Sequence, residues 1–262
     1  MELSIDGRRA YAFTGHNEFD PARDCVVFAH GVGQDHTVWV LPARYFDRHD
    51  RNVVAIDLPG HGRSEGPPLD SIEAMTEWLV RVLDEASIRR AAVVGHSMGS
   101  LVALDTAARY PDRVRSIAMV GVSFPLRVSD ALLEAAEAGS HDAVEMLTYW
   151  GHSKSAAMGG NETPGIWMTG AYMRLLERAA PETISADLKA CDTYDAGLSA
   201  AEALRIPALF LMGARDVMTP VRGAEKLIER LQPADSVIFE GAGHALLTER
   251  PDQVLDELIR VV

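Results

Sequence analysis

Three side chains in this chain carry the residue types for acyl transfer: Ser97, Asp216 and His244. Ser97 lies in Gly95-His96-Ser97-Met98-Gly99, between the apolar run Ala91-Ala92-Val93-Val94 and a helical pattern that begins at Ser100. A strand, a tight serine-bearing turn and a helix make the setting of a G-x-S-x-G nucleophile elbow. The serine backbone is strained in such a turn. Glycines at both flanks, Gly95 and Gly99, remove side chains that would collide as helix and strand close on each other. A serine hydroxyl is a weak nucleophile at neutral pH. It needs a base within hydrogen-bond reach, and the base needs a carboxylate to fix its tautomer and stabilise the imidazolium. Asp216 follows the apolar run Pro207–Gly213, and His244 follows the strand-like Ser236–Glu240 through Gly241-Ala242-Gly243. All three then emerge from strand ends on one edge of a sheet.

Other candidates fit this chemistry less well. His96 adjoins the serine, but its side chain is expected to point away into packing around the turn. His61 lies in a glycine turn and is expected to shape a loop. His30 is expected to order its own loop through a buried hydrogen bond. His16, His36, His49, His141 and His152 have no motif around them. Among the acids, Asp57 ends a strand, and Asp192 and Asp195 precede the last strands. Asp216 is preferred because its strand comes before the histidine strand and it follows the tight Gly213-Ala214-Arg215 turn.

The elements that must position these groups alternate regularly. Strand-like runs occupy Cys25–His30, Asn52–Leu58, Ala91–His96, Ser116–Val122, Ala208–Met212 and Ser236–Glu240. A first strand and a hairpin turn at Asp6-Gly7 precede them. Helical patterns cover Ile72–Glu85 (capped by Ser71), Ser100–Tyr110, Val221–Leu231 and the stretch from Pro251 to Val262. Such alternation predicts an α/β fold, a mainly parallel sheet with helices on both faces.

With the elbow, Phe28-Ala29-His30-Gly31-Val32-Gly33 and Asp57-Leu58-Pro59-Gly60-His61-Gly62-Arg63-Ser64, the chain resembles the α/β-hydrolase superfamily over nearly its whole length. The second string resembles its serine esterase, lactonase and haloperoxidase-like branch. The resemblance implies Ser97 as nucleophile, Asp216 as acid and His244 as base, with the backbone N–H groups of Val32 and Met98 as oxyanion hole. Physics supports the last pair. Two backbone donors aimed at the developing oxyanion can each contribute roughly 3 kcal/mol, and Met98 would stand at the positive end of its helix. Haloalkane dehalogenases and epoxide hydrolases carry Asp at the nucleophile position and dienelactone hydrolases Cys, whereas here it is Ser97.

One region breaks the alternation. From Phe124 to about Leu204 helix-like pieces appear instead of buried strands: Asp130–Ala138, Asp142–Trp150, Ile166–Leu176 and Pro181–Cys191. The resemblance implies a helical cap here. The expected organisation is a core domain of residues 1–123 and 205–262 and a cap of residues 124–204. Most large apolar residues of such a cap form its own core. Trp150, Trp167, Met146 and Tyr172 are the candidates to face the serine and line a substrate pocket. Ser153–Gly160 is expected to be a hinge or entrance loop. Arg127 and Arg174 are the candidates to hold a substrate carboxylate.

Composition bounds the remaining options. The formal net charge of −13 is spread along the chain, which disfavours a nucleic-acid partner. No apolar stretch approaches the ~20 residues of a membrane span, and the N-terminus has no apolar signal core, so the cytoplasm is expected. Cys25 and Cys191 make neither a disulfide framework nor metal spacing. The expected activity is a serine hydrolase for a small carboxylic ester or lactone, with no cofactor and no metal. An enol-lactonase, a perhydrolase or a carbon–carbon bond hydrolase would share these motifs, as would a hydrolase-fold ligand sensor with slow turnover. Oligomeric state is left open.

Overall fold

A computed structural model describes residues 1–160 and 166–262. The chain opens with β1 (Glu2–Ile5) and β2 (Arg8–Phe13), joined by the expected turn at Asp6 and Gly7, both at positive φ. Then come β3 (Cys25–Ala29), α1 (Val40–Arg48), β4 (Asn52–Ile56), α2 (Ile72–Glu85), β5 (Ala91–His96), α3 (Met98–Arg109) and β6 (Val114–Val120). A helical stretch follows: α4 (Asp130–Glu137), α5 (His141–Gly151), α6 (Lys154–Ala157), α7 (Met168–Leu176), α8 (Pro181–Thr193) and α9 (Gly197–Ala203). The chain closes with β7 (Ala208–Gly213), α10 (Val221–Arg230), β8 (Ala234–Phe239), α11 (Leu246–Glu249) and α12 (Pro251–Leu258).

The strands form one eight-stranded sheet in the order β1-β2-β4-β3-β5-β6-β7-β8. β1 and β2 are antiparallel to their neighbours, and the rest of the sheet is parallel. Alternation along β3 explains its continuous apolar sequence. Cys25, Val27 and Ala29 join one buried cluster, and Val26 and Phe28 join another. Both faces are covered, which favours an apolar residue at every position of such a strand. The first cluster includes residues of α2, α3 and α10 together with Leu132, Leu147, Ile184 and Leu188 of the α4–α9 stretch. The second lies under α1 and α12. Edge strand β8 is half-exposed, as are β1 and β2 at the opposite side of the sheet.

Several boundaries differ from the sequence reading, each for a local reason. Helix α3 starts two residues earlier than expected, at Met98, because it springs directly from the serine turn. Strand β6 begins and ends two residues earlier, in register with β5. Ser153–Gly160 is not simply a loop, because the Ser153 hydroxyl caps the single turn α6 by accepting from Ala156 N–H. Helix α9 has no counterpart in the sequence reading. Its Gly197 lies against the Phe124 ring, a long-range contact with no local pattern. The expected 124–204 unit includes residues 161–165, which lie outside the described residues. Both cysteines are buried and unpaired. Among the described residues no helix is long and apolar enough to cross a membrane.

The parallel strands deliver their C-terminal ends to one edge, and the turn after β5 is the tightest point there. A Cβ on Gly99 would lie 2.2 Å from the carbonyl oxygen of Ala29, and one on Gly95 would lie 2.0 Å from that of Gly99. Backbone cannot yield as a flexible side chain does. Gly99→Ala is therefore expected to lower the unfolding free energy by about 3 kcal/mol or more. Gly159→Ala, where an added carbon meets nothing within 4 Å, is expected to cost only about 1 kcal/mol through its positive φ. Urea denaturation of the two variants measures the difference. Equal losses would remove the close approach as the reason for glycine at 99.

Candidate active site

Ser97 has φ 54° and ψ −117°, in the left-handed half of backbone space. The strain is held by bonds on both sides. Its N–H donates to Val120 O at 2.9 Å, and its carbonyl accepts from Ser100 N–H at 2.9 Å. The next residue, Met98, is the first of α3, so its N–H points out of the helix start without an intrahelical acceptor.

Asp216 and His244 meet in the loops after β7 and β8. His244 Nδ1 lies 2.8 Å from Asp216 Oδ2, and both side chains are buried. The carboxylate accepts three more bonds: from Met218 N–H at 2.8 Å, Thr219 N–H at 2.7 Å and the Thr219 hydroxyl at 2.6 Å. Burial alone would raise the Asp216 pKa. The charge and hydrogen bond of His244, with the bonds from Thr219, overcome that and bring it to about 2. An ionised acid on Nδ1 orients the ring and leaves Nε2 as its basic atom. The sequence reading does not reach Thr219, although its place three residues after the acid in a tight loop is the available signal.

His96 links the two halves of the site. Its ring stands 4.9 Å from the His244 ring, and its Nε2 is 3.1 Å from His244 O. Burial, then the neighbouring charge on His244, push its pKa down to about 3. The ring stays neutral, and its place between His244 and Gln34 is more than the packing expected of it. Its other nitrogen faces Gln34 Oε1 at 3.2 Å.

The loop after β3 is held around Val32. His30 accepts from Leu58 N–H at Nε2 (3.1 Å), so its Nδ1–H donates to Gly31 O at 2.9 Å. Burial, then the charge of His61, lower its pKa to about 4 and keep this tautomer neutral. Gln34 N–H also donates to Gly31 O, at 3.2 Å. The Gly31–Val32 peptide is planar and trans, so pinning its C=O on one side aims the Val32 N–H to the other. The neighbouring amides are occupied: Gly31 N–H donates to Gln34 Oε1 at 3.0 Å, and Gly33 N–H to Asp187 Oδ2 at 2.9 Å. Among the described residues, neither Val32 N–H nor Met98 N–H donates to a protein acceptor.

A cavity of about 150 Å³ opens at Ser97, with Val32 and Thr219 also in its wall. The rest of the lining is mostly apolar, including Leu126, Leu132, Trp150, Leu188 and Met218, with Arg127 as its one cation among the described residues. Of the four residues expected to line a pocket, Trp150 stands in this wall. Met146 packs against the core, and Trp167 is 73% exposed. Tyr172 receives a hydrogen bond from Gln34 Nε2 at 2.9 Å and so buttresses the Val32 loop from outside the cavity. Arg127 bonds the Asp192 carbonyl, and Arg174 pairs with Glu177 away from the cavity.

Two further titratable clusters lie near the site. Asp35, His36 and Asp57 place ligand-type atoms within 4.8 Å of one another. Their oxygens are already used. Asp57 accepts from the N–H and ring of His36 and from Arg63 N–H, while Asp35 binds Thr37 and Arg178. A cation there would have to displace these donors. His61 lies between Asp187 Oδ2 at 2.8 Å and Pro59 O at 3.1 Å. Burial lowers its pKa, but the Asp187 carboxylate outweighs this and the net shift is upward.

A family model described as the alpha/beta hydrolase family matches residues 26–257. The chain is 24% identical over 258 residues to the (E)-2-((N-methylformamido)methylene)succinate hydrolase of Acinetobacter baylyi, covering 96% of this chain and 94% of that one. It is 30% identical over 233 residues to a pimeloyl-(acyl-carrier protein) methyl ester esterase of Neisseria meningitidis, over 84% of this chain and 70% of that one. Among solved structures, an enol-lactonase from Burkholderia xenovorans superposes with a TM-score of 0.87 at 20% identity, over 99% and 98% of the two chains. That last likeness is one of fold.

The depressed Asp216 pKa has a measurable consequence. A carboxylate at about 2 when folded and 3.8 when freely solvated contributes roughly 2 kcal/mol. The contribution is fully present above the unfolded value and is lost as pH falls through the folded one. The stability gap between the parent and Asp216→Asn is expected to narrow by about 2 kcal/mol between pH ~5 and pH ~2. Urea denaturation across that range reads the gap. A constant gap would mean that the carboxylate is not held ionised by its partners.

Proposed function

The chain belongs to the alpha/beta hydrolase family, and from that premise we propose that it is a serine hydrolase cleaving a small carboxylic ester or lactone through an acyl-enzyme. The observation that carries the reading is the strained Ser97 in the wall of an apolar cavity that Thr219 also lines, where Thr219 bonds the same Asp216 carboxylate that meets His244 Nδ1. Ser97 Oγ attacks the substrate carbonyl carbon while His244 Nε2 takes the hydroxyl proton. Negative charge gathers on the former carbonyl oxygen, where the N–H groups of Val32 and Met98 receive it. The C–O bond then breaks, and His244 returns the proton to the leaving alkoxide. Water attacks the acyl-enzyme with the same base and the same donors, and releases the acid. In a lactone the alcohol stays tethered to the acyl group until that second step.

The helices between β6 and β7 act as a cap in this reading, with residues 124–204 as a unit apart from the core. Its contribution to the cavity is mostly apolar, from Leu126, Val128, Leu132, Trp150 and Leu188, with Arg127 and Ser129 as polar members. A cavity of about 150 Å³ suits an acyl or alcohol group of a few carbons. One observation favours a variant of this reading. Arg127 is the cavity's one cation among the described residues, and the Acinetobacter relative is named for a succinate derivative. A substrate carrying a carboxylate toward Arg127, such as a small anionic lactone, is the second reading.

Hydrolysis of p-nitrophenyl esters of increasing acyl length, beside a panel of neutral and anionic lactones, tests both. Short acyl esters are expected to be cleaved fastest. Ser97→Ala is expected to abolish turnover and fluorophosphonate labelling with folding intact, and Asp216→Asn to lower kcat by up to about 10⁴-fold. Near-normal turnover in either variant would overturn the mechanism. Arg127→Ala is expected to spare neutral esters. If it also spares every anionic lactone, the second reading fails.

A further inference from the structure

Asp187, on α8, lies far in sequence from the loops of the catalytic edge and belongs to none of the motifs. Its carboxylate is nevertheless buried among them. Oδ2 accepts from Gly33 N–H at 2.9 Å and from His61 Nε2 at 2.8 Å. The His61 ring in turn packs on the His30 ring with centroids 4.7 Å apart. The two peptide planes that flank the Val32 α-carbon are therefore pinned from opposite directions. His30 and Gln34 N–H hold the Gly31 carbonyl before it, and Asp187 holds the Gly33 N–H after it.

The other contacts of α7 and α8 with these loops make the same junction. Gly33 has φ +64°, and a Cβ there would lie 3.0 Å from Ile184 and 3.1 Å from Leu176. The Thr183 hydroxyl reaches Gly60 O at 3.3 Å, Arg178 pairs with Asp35 at 3.1 Å, and the Tyr172 hydroxyl meets Gln34 Nε2 at 2.9 Å. Helices outside the parallel sheet thus hold the loop that carries the proposed oxyanion donor.

We infer that Asp187, bridged to His61, is a positioning residue that aims the Val32 N–H at the oxyanion, so that the docked α8 helix completes the oxyanion hole. The inference rests on the acyl-enzyme reading above and deepens it. Asp187 touches no reacting atom. Its effect comes through the Gly33 amide, and a backbone donor turned by a few tenths of an ångström loses much of its hold on a transition-state charge.

The test separates oxyanion binding from cavity binding. An alkyl trifluoromethyl ketone takes Ser97 Oγ at its carbonyl carbon and places the resulting oxyanion in the hole. The matching alcohol fills the cavity without forming that adduct. Asp187→Ala is expected to lower kcat/KM for the best ester by about 10- to 100-fold, mainly through kcat. The ketone's affinity should fall by the same factor, and the alcohol's should change by less than about 2-fold. Asp187→Asn keeps an oxygen for Gly33 N–H and should recover part of both losses. If ketone and alcohol weaken together, Asp187 only supports the cavity and the inference is wrong. It is equally wrong if neither variant alters the ketone's affinity. Ser97→Ala, run alongside, tells the two levels apart. If it remains active, the acyl-enzyme reading falls. If it is inactive while Asp187→Ala matches the parent, only the positioning role falls.

Discussion

The close approach of α3 to the ends of β3 and β5 is the constraint on which the sheet edge carrying Ser97 depends. Backbone meets backbone there with no room for a methyl group at 95 or 99. The chain can make that approach only by turning sharply, and the residue at the apex takes the left-handed conformation. A non-glycine residue in that region carries about 1 kcal/mol of strain or more. The bonds from Ser97 N–H to Val120 O and from Ser100 N–H to Ser97 O hold it in place. One turn therefore sets several things at once: the serine at the sheet's edge, the Met98 amide at a helix start, and the two glycines on either side.

Around that turn the sheet supplies a medium. The strands beside it are buried on both faces, so polar groups at their ends sit against a low-polarisability interior. Hydrogen bonds are stronger there, and an unpaired polar group is more costly. The structure meets this by pairing most of the buried histidines with specific acceptors or donors. His30 is held neutral between an amide and a carbonyl, while His61 rests between a carboxylate and a carbonyl. The opposed shifts of these adjacent rings follow from that difference, since the Asp187 charge favours the cationic form of His61 and the His61 charge disfavours it in His30.

The pairing also explains why Val32 differs from its neighbours. A glycine-rich loop of this length offers several amides, and any of them could face the serine. In this fold Gly31 N–H is taken by Gln34 and Gly33 N–H by Asp187. The Val32 amide between them points away from the carbonyl of its own planar peptide, Gly31 O, which His30 and Gln34 N–H hold. The specificity of the proposed hole is thus set by which donors are already satisfied.

The parallel sheet, the serine turn, and Ser97, Asp216 and His244 were legible from local patterns. Each depends on residues close together in sequence: an apolar run, a glycine pair, a loop after a strand. The hairpin at Asp6-Gly7 and the Ser71 cap were legible for the same reason. Thr219, Gln34 and Asp187 were not. Gly33 and Asp187 are 154 positions apart, and His61 and Asp187 are 126 apart, so no local periodicity joins them. The lining of the cavity escaped in the same way. Which of Met146, Trp150, Trp167 and Tyr172 faces Ser97 depends on how α5 and α7 rotate against the sheet, and an apolar residue reads alike in a core, a pocket or on the surface. The sequence by itself determined the fold and the sheet edge to which Ser97, Asp216 and His244 are delivered, because those follow from short-range sterics and strand direction. Only the tertiary structure decided which amide stays free and which side chains shape the cavity, because both are settled by contacts between segments that meet only when the helices dock.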